Sequence, residues 1–347
     1  MSNNSSIKLP PPLPAPALGY WLMGCACLVF VMVLIGAITR LTESGLSMVE
    51  WRPLIGALPP MSETEWQRVF DLYKQTPEFQ KENFWMSLSD FQTIFFWEWA
   101  HRLLGRLIGL AYGLPLFLFW VCRKIPKGFG WPLIGMLFLG GAQGYMGWFM
   151  VQSGLVNEPA VSHYRLAAHL SLAFLIMACL VTTALRLNPH WVKNTPRPSL
   201  ITHLWGVLGF YILTVFWGAY TAGLDAGLLY NDTFPKMGDH WIPYEMHLYS
   251  PLFVNFFENH AVVQFAHRWL AILTFLIGIS FTARCIKQGA LSLPSTLLGA
   301  AFLAQVALGI TTLFTHVHII PAVAHQGTAL LILVLIVINF MKYRTVK

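Results

Sequence analysis

Long apolar runs alternate with polar segments along almost the whole chain. Runs of the roughly 20 residues needed to cross about 30 Å of hydrocarbon occur at about 19–39, 93–122, 131–151, 164–186, 201–222, 260–284, 294–315 and 320–341. They predict an all-α membrane protein of eight transmembrane helices. The polar segments between them are of two kinds. Short ones carry Arg123, Lys124 and Lys127, then Arg186, Lys193 and Arg197, then Arg284 and Lys287, and the tail adds Lys342, Arg344 and Lys347. Basic short loops stay on the cytoplasmic side, so both termini are expected there, and the two long loops, about 40–92 and 223–259, on the other.

The first long loop is acidic in its second half and holds Trp51, Trp66 and Trp85. Ser62 and Glu65 have the spacing of a helix capping box, which predicts a short helix over 62–75 and a folded loop rather than a linker. The second long loop mixes prolines, glycines and aromatics with little charge, the composition of a segment lying against the bilayer interface. Both loops are placed to roof a site.

The apolar pattern also repeats. GAITRLTESGL at 36 matches GAYTAGLDAGL at 218, EWAHRLLGRL at 98 matches QFAHRWLAIL at 264, GGAQGYMGW at 140 matches FLAQVALGI at 302, and YRLAAHLSLAFLI at 164 matches IPAVAHQGTALLI at 320. Self-similarity of this kind predicts two tandem, pseudo-symmetric four-helix bundles, 1–195 and 196–347. Each half contributes one histidine in its second helix and one in its fourth: His101 with His169, and His267 with His325. A membrane histidine taken singly is most simply a neutral imidazole bonded to a neighbouring helix. Packing alone does not require the same residue at both positions of both halves, whereas paired imidazoles are how a four-helix bundle holds a haem iron. Gly105 and Gly109, each one turn further along from His101, leave a flat strip on its face. His163, His260, His316 and His318 fall near helix ends and read as interfacial, the last two as lesser contributors at most.

Charge refines the picture at a few points. Arg102 and Arg268 each follow a candidate ligand and Arg165 precedes one by a turn; such arginines either snorkel to water or form bidentate bonds to haem propionates. Glu98 in the first half is answered by Gln264 in the second. A carboxylate one turn from an iron ligand can take protons or orient water, which an amide cannot, so the first half reads as catalytic and the second as a carrier. The alternative is that Glu98 is a buried partner of Arg102.

Composition agrees with the membrane reading: 56% of residues are apolar and 11% charged, against about 25% charged in soluble domains. The net charge of +7 is scattered through short loops, reporting topology rather than a nucleic-acid face. The five cysteines, Cys25, Cys27, Cys122, Cys179 and Cys285, lie in or beside apolar runs, which leaves no disulfide framework outside the membrane. The N-terminal MSNNSSIKLPPPLPAP resembles neither a signal nor a transit peptide.

The segments GAITRLTESGLSMVEW (36–51), EWAHRLLGRLIGL (98–110), GYMGWFMVQSGL (144–155), YRLAAHL (164–170), AGLDAGLLYNDTFPKM (222–237), FAHRWLA (265–271) and AHQGTALL (324–331) resemble haem A synthase of the proteobacterial and mitochondrial type. The resemblance implies oxidation of the C8 methyl of haem O to a formyl group, by successive hydroxylations and loss of water, giving haem A for cytochrome oxidase. It assigns His101 and His169 to the substrate haem, Glu98 to the catalytic neighbourhood, and His267 and His325 to a haem b. It implies an inner-membrane location with the haem sites toward the periplasmic side, an electron-transfer partner, and haem O synthase and oxidase assembly factors as neighbours. Members from Gram-positive bacteria carry a cysteine pair in the first long loop; this chain has none there. Two other readings fit the same histidines: a di-haem cytochrome b exchanging electrons with a quinone, and a transporter with structural histidines.

Overall fold

The computed structural model describes residues 16–50, 55–155 and 159–345; the N-terminal proline run and Trp51 lie outside them. The described chain is helical, with α1 (Pro16–Leu41), α2 (Glu63–Tyr73), α3 (Pro77–Lys81), α4 (Leu88–Val121), α5 (Gly130–Gly154), α6 (His163–Leu187), α7 (Pro198–Gly223), α8 (Asn255–Glu258), α9 (His260–Lys287), α10 (Leu293–Phe314) and α11 (Ile319–Tyr343). Eight of these, all but α2, α3 and α8, are long and apolar enough to cross a membrane. Their bounds fall close to the apolar runs. The largest difference is α4, which starts at Leu88 rather than near 93 because Ser87 and Asp90 form a reciprocal capping box that carries the helix through a polar first turn.

The helices pack in a recurring scheme. α1 lies against α4 and α6, and α5 against α6; likewise α7 lies against α9 and α11, and α10 against α11. α6 also meets α7 and α11, and α1 meets α11, so α1, α6, α7 and α11 form the middle of the molecule. Arg40 joins the end of α1 to that of α7, donating to Asp225 Oδ1 at 2.6 Å and to the Ala222 carbonyl at 2.9 Å.

Packing is uneven along the bundle axis. The main apolar core, from Leu18, Leu22 and Val33 on α1 through Phe174–Leu187 on α6, Leu200–Tyr211 on α7 and Leu330–Tyr343 on α11, fills the half that holds the start of α1 and the end of α11. It stops short of all four candidate histidines, which lie in the other, distal half. Leu107, Leu110, Leu114 and Phe117 on α4 face outward and exposed, as apolar side chains turned to lipid must.

The first long loop is folded, as expected. Ser62 caps α2, accepting from the Glu65 amide at 3.2 Å, and the Glu65 carboxylate pairs with Arg68. Phe70 and Tyr73 stack on Phe91 of α4 with ring centroids 5.0 and 5.1 Å apart, and Trp66 meets Phe95 edge-on. The loop is thus bonded to the same helix that carries Glu98 and His101. The second long loop is built of short 3₁₀ turns, among them Ala226–Leu228 and Tyr244–His247.

Candidate functional site

Each of the four candidate histidines lies against a glycine on a neighbouring helix. A Cβ added to Gly36 of α1 would stand 3.2 Å from His101 Nε2, and one on Gly147 of α5 would stand 3.1 Å from His169 Cε1. On Gly218 of α7 it would come within 2.8 Å of His267 Cε1, and on Gly309 of α10 within 2.9 Å of His325 Cε1. Absence of a side chain lets each helix backbone close onto an imidazole. The repeat contains the signal for this: GAxT recurs at 36 and 218, and AQxxxG at 142 and 304. These glycines, and not the strip at Gly105 and Gly109, meet the histidines. Gly105 instead accommodates Met32 of α1, 3.2 Å from where its Cβ would be.

Backbone carbonyls orient the second-half rings. His267 Nδ1 is 3.1 Å from the Thr214 carbonyl and His325 Nδ1 is 3.1 Å from the Gln305 carbonyl. A carbonyl only accepts, so Nδ1 carries the hydrogen and Nε2 keeps its lone pair, the arrangement an iron ligand needs. The side-chain amides of Gln143 and Gln305 stand 3.3 Å from His169 Nε2 and His325 Nε2. Their Oε1 atoms, and Nδ1 of His169, are buried without protein partners. Buried polar atoms are nearly always paired, so both places have bonding capacity that the protein alone does not use. His101 and His169 are close enough to interact electrostatically, as are His267 and His325.

Glu98 is 3% exposed, and both its oxygens are engaged. Oε1 accepts from Arg102 Nη2 at 2.5 Å, while Oε2 accepts from the Ser47 hydroxyl at 2.8 Å and the Met48 amide at 2.7 Å. Gln264 answers it in form: its Oε1 accepts from Arg268 Nη2 at 3.2 Å and its Nε2 donates to the Leu229 carbonyl at 2.7 Å. Where the facing loop offers donors the helix has a carboxylate, and where it offers an acceptor the helix has an amide. The acid-for-amide difference is thus matched by the loops.

The arginines tie the long loops down. Arg102 donates to the Met48 and Glu50 carbonyls, and Arg268 to those of Tyr230, Thr233 and Lys236. Arg165 donates to the Phe149 carbonyl at 2.6 Å with its guanidinium 3.7 Å over that residue's ring. His163 and His260 begin α6 and α9, and His318 caps α11, its Nδ1 accepting from the Ile320 amide. All five cysteines are free thiols.

The chain matches the family described as cytochrome oxidase assembly protein (COX15-CtaA) over residues 19–337. The heme A synthase of Rhodospirillum centenum is 48% identical over 325 residues, covering 92% of this chain and 87% of that protein. Those of Nitrosospira multiformis and Parvibaculum lavamentivorans are each 45% identical, covering 90% and 91% of this chain and 89% and 91% of theirs. With a match that runs through both histidine pairs and both long loops, the chain belongs to the COX15-CtaA family of cytochrome oxidase assembly proteins.

Proposed function

We propose that this chain is a haem A synthase, oxidising the C8 methyl of haem O to a formyl group. The name carried by its relatives favours this over a di-haem cytochrome b or a transporter. The observation that supports its site is the fourfold apposition of histidine and glycine. In this reading the protein has two halves, 1–195 and 196–347. His101 and His169 bind the substrate haem O, and His267 and His325 hold a resident haem b, whose iron supplies one-electron chemistry. The protein lies in the inner membrane, with both termini cytoplasmic and the histidines toward the periplasmic side.

The residues divide the work. The carbonyls of Thr214 and Gln305 fix the second-half rings by their Nδ1 hydrogens. The glycines set the distance of approach, and the two long loops, latched by Arg102 and Arg268, exclude water from the distal ends of the sites. Glu98, held by three donors, presents a carboxylate of fixed orientation one turn from His101, suited to directing a proton or a water at the methyl being oxidised. The propionate role weighed for the arginines falls to guanidinium nitrogens that the latches leave unused, such as Nε of Arg268, which is buried without a partner. Haem A leaves to oxidase assembly and haem O arrives from its synthase, and an electron-transfer partner removes reducing equivalents. The test is pigment extraction from cells with and without the gene. Haem A and its hydroxylated precursor should appear only with it, and haem O accumulating equally in both would contradict the proposal.

A further inference from the structure

A glycine in a helix exposes, besides space, the carbonyl one turn before it, which takes the glycine's own N–H and keeps a second lone pair. In the second half both candidate ligands use that carbonyl. Gly218 lies against His267, and the Thr214 carbonyl, four residues earlier, is 3.1 Å from the ring's Nδ1; Gly309 and the Gln305 carbonyl stand in the same relation to His325. The first half has the glycines but not this bonding. His169 lies against Gly147, and the side-chain amide of Gln143 is 3.3 Å from its Nε2, as that of Gln305 is from His325 Nε2. Yet His169 Nδ1 is buried with no hydrogen-bond partner among the described residues. His101 presents the other edge of its ring to the neighbouring helix. Only its Nε2 and Cδ2 come within 4 Å of a Cβ added to Gly36, whereas the other three rings present Cε1 and then Nδ1 to their glycines. The two halves thus share their glycines and differ in what holds the imidazoles.

We propose that this difference sets how long each half keeps its haem: the Thr214 and Gln305 carbonyls make the second half a retaining site, and the unbraced His101 and His169 make the first half an exchanging one. This rests on the reading of the halves as substrate site and cofactor site. A partner on Nδ1–H fixes the ring's orientation and tautomer and raises the basicity of Nε2, and its loss costs about 10–100-fold in metal affinity. An imidazole without that partner can carry its hydrogen on either nitrogen, and the Nε2–H form has no lone pair for iron. In His169 that form has a partner at hand, because Gln143 Oε1 is buried and unpaired among the described residues and turning the amide over brings it to Nε2. In His325 the same form would forfeit the bond to the Gln305 carbonyl. Only a fraction of first-half rings is then competent to bind, and apparent affinity falls by that fraction. Substrate haem must enter and product haem leave at every turnover, while a resident haem must stay.

The test loads both halves of the full-length protein, in detergent, with iron protoporphyrin IX and follows haem transfer to excess apomyoglobin by absorption. Release should be biphasic, with the fast phase about 10–100-fold faster than the slow one, and His101→Ala with His169→Ala should remove the fast phase alone. Gly309→Ala, whose methyl would stand 2.9 Å from His325 Cε1, pushes that ring off its carbonyl and should quicken only the slow phase. A second readout, on wild-type protein without haem, needs no variant to fold. Solid-state nitrogen NMR of isotope-labelled histidines should show His267 and His325 wholly in the Nδ1–H form and His169 divided between the two tautomers. Equal release from both halves, a slow phase untouched by Gly309→Ala, or a His169 locked in the Nδ1–H form like His325 would overturn the proposal. A first half that takes up no haem at all would overturn the reading of the site, and the proposal with it.

Discussion

At the scale of single residues, the contact between imidazole and glycine makes the sharpest demand. Gly218→Ala puts a methyl 2.8 Å from the present position of His267 Cε1, so the ring must turn away from the Thr214 carbonyl. Retained haem b should fall in purified protein, whereas Gly206→Ala, on the same helix with open space around it, should be neutral or stabilise by up to about 1 kcal/mol. Equal haem content in the two variants would remove Gly218 from the site. Glu98→Gln turns an amide NH₂ toward the Met48 N–H or toward Arg102, neither of which can accept, and removes Arg102's charge partner. Breaking a buried pair costs about 3–5 kcal/mol, so folded protein should decline. Per folded protein, haem A should fall by about 10²-fold while haem O still binds. Chromatography of haem O, hydroxylated haem and haem A in mutant membranes measures this, and an unchanged ratio would leave Glu98 a loop anchor alone. Glu78, buried on α3, has its own signature in stability. Its carboxyl is raised from 4.5 to about 8, so the folded protein holds a proton that the unfolded chain releases. That contribution is complete below about 4.5 and lost by about 8. Thermal stability should decline across this window in wild type and less in Glu78→Gln; parallel curves would contradict it.

At the scale of elements, the spanning helices were legible because length and hydropathy suffice to mark them, and the histidine pairs because the repeat aligns them. Less visible was what faces each side chain. The spacing of Glu98 and Arg102 permitted a buried ion pair, but only the folded loop supplies the Met48 amide that makes a carboxylate, and not an amide, the matching group there. Nor could spacing show that the tip of Met32 on another helix approaches Gly105, while the space beside Gly109 stays open. Glu78 could not be told from the other acids of its loop because burial of one acid among many depends on the tertiary stack of Tyr73 on Phe91. The latch by Arg268 carries its own expectation. Arg268→Ala strips donors from the carbonyls of Tyr230, Thr233 and Lys236, and unsatisfied buried groups cost about 1–3 kcal/mol each. Limited proteolysis should then cut the 224–259 loop faster, and Arg268→Lys should rescue little because an ammonium cannot reproduce the guanidinium fork. Unaltered cleavage would show that the loop is held by other bonds.

At the scale of the whole molecule, one design serves both proposed sites: a densely packed half with the start of α1 and the end of α11, and a distal half where glycines let helices close on histidines under a latched loop. The halves differ at the loop-facing acid and amide, and the account rests on that difference dividing catalysis from cofactor holding. The most direct measurement takes two double variants, His101→Ala with His169→Ala and His267→Ala with His325→Ala, and records for each the low-spin haem b spectrum of purified protein and the haem A content of membranes. The first should form no haem A while keeping its haem b, and the second should lose haem b. Equal loss of haem b in both, or a full haem b spectrum in the second, would contradict two separate sites with divided roles.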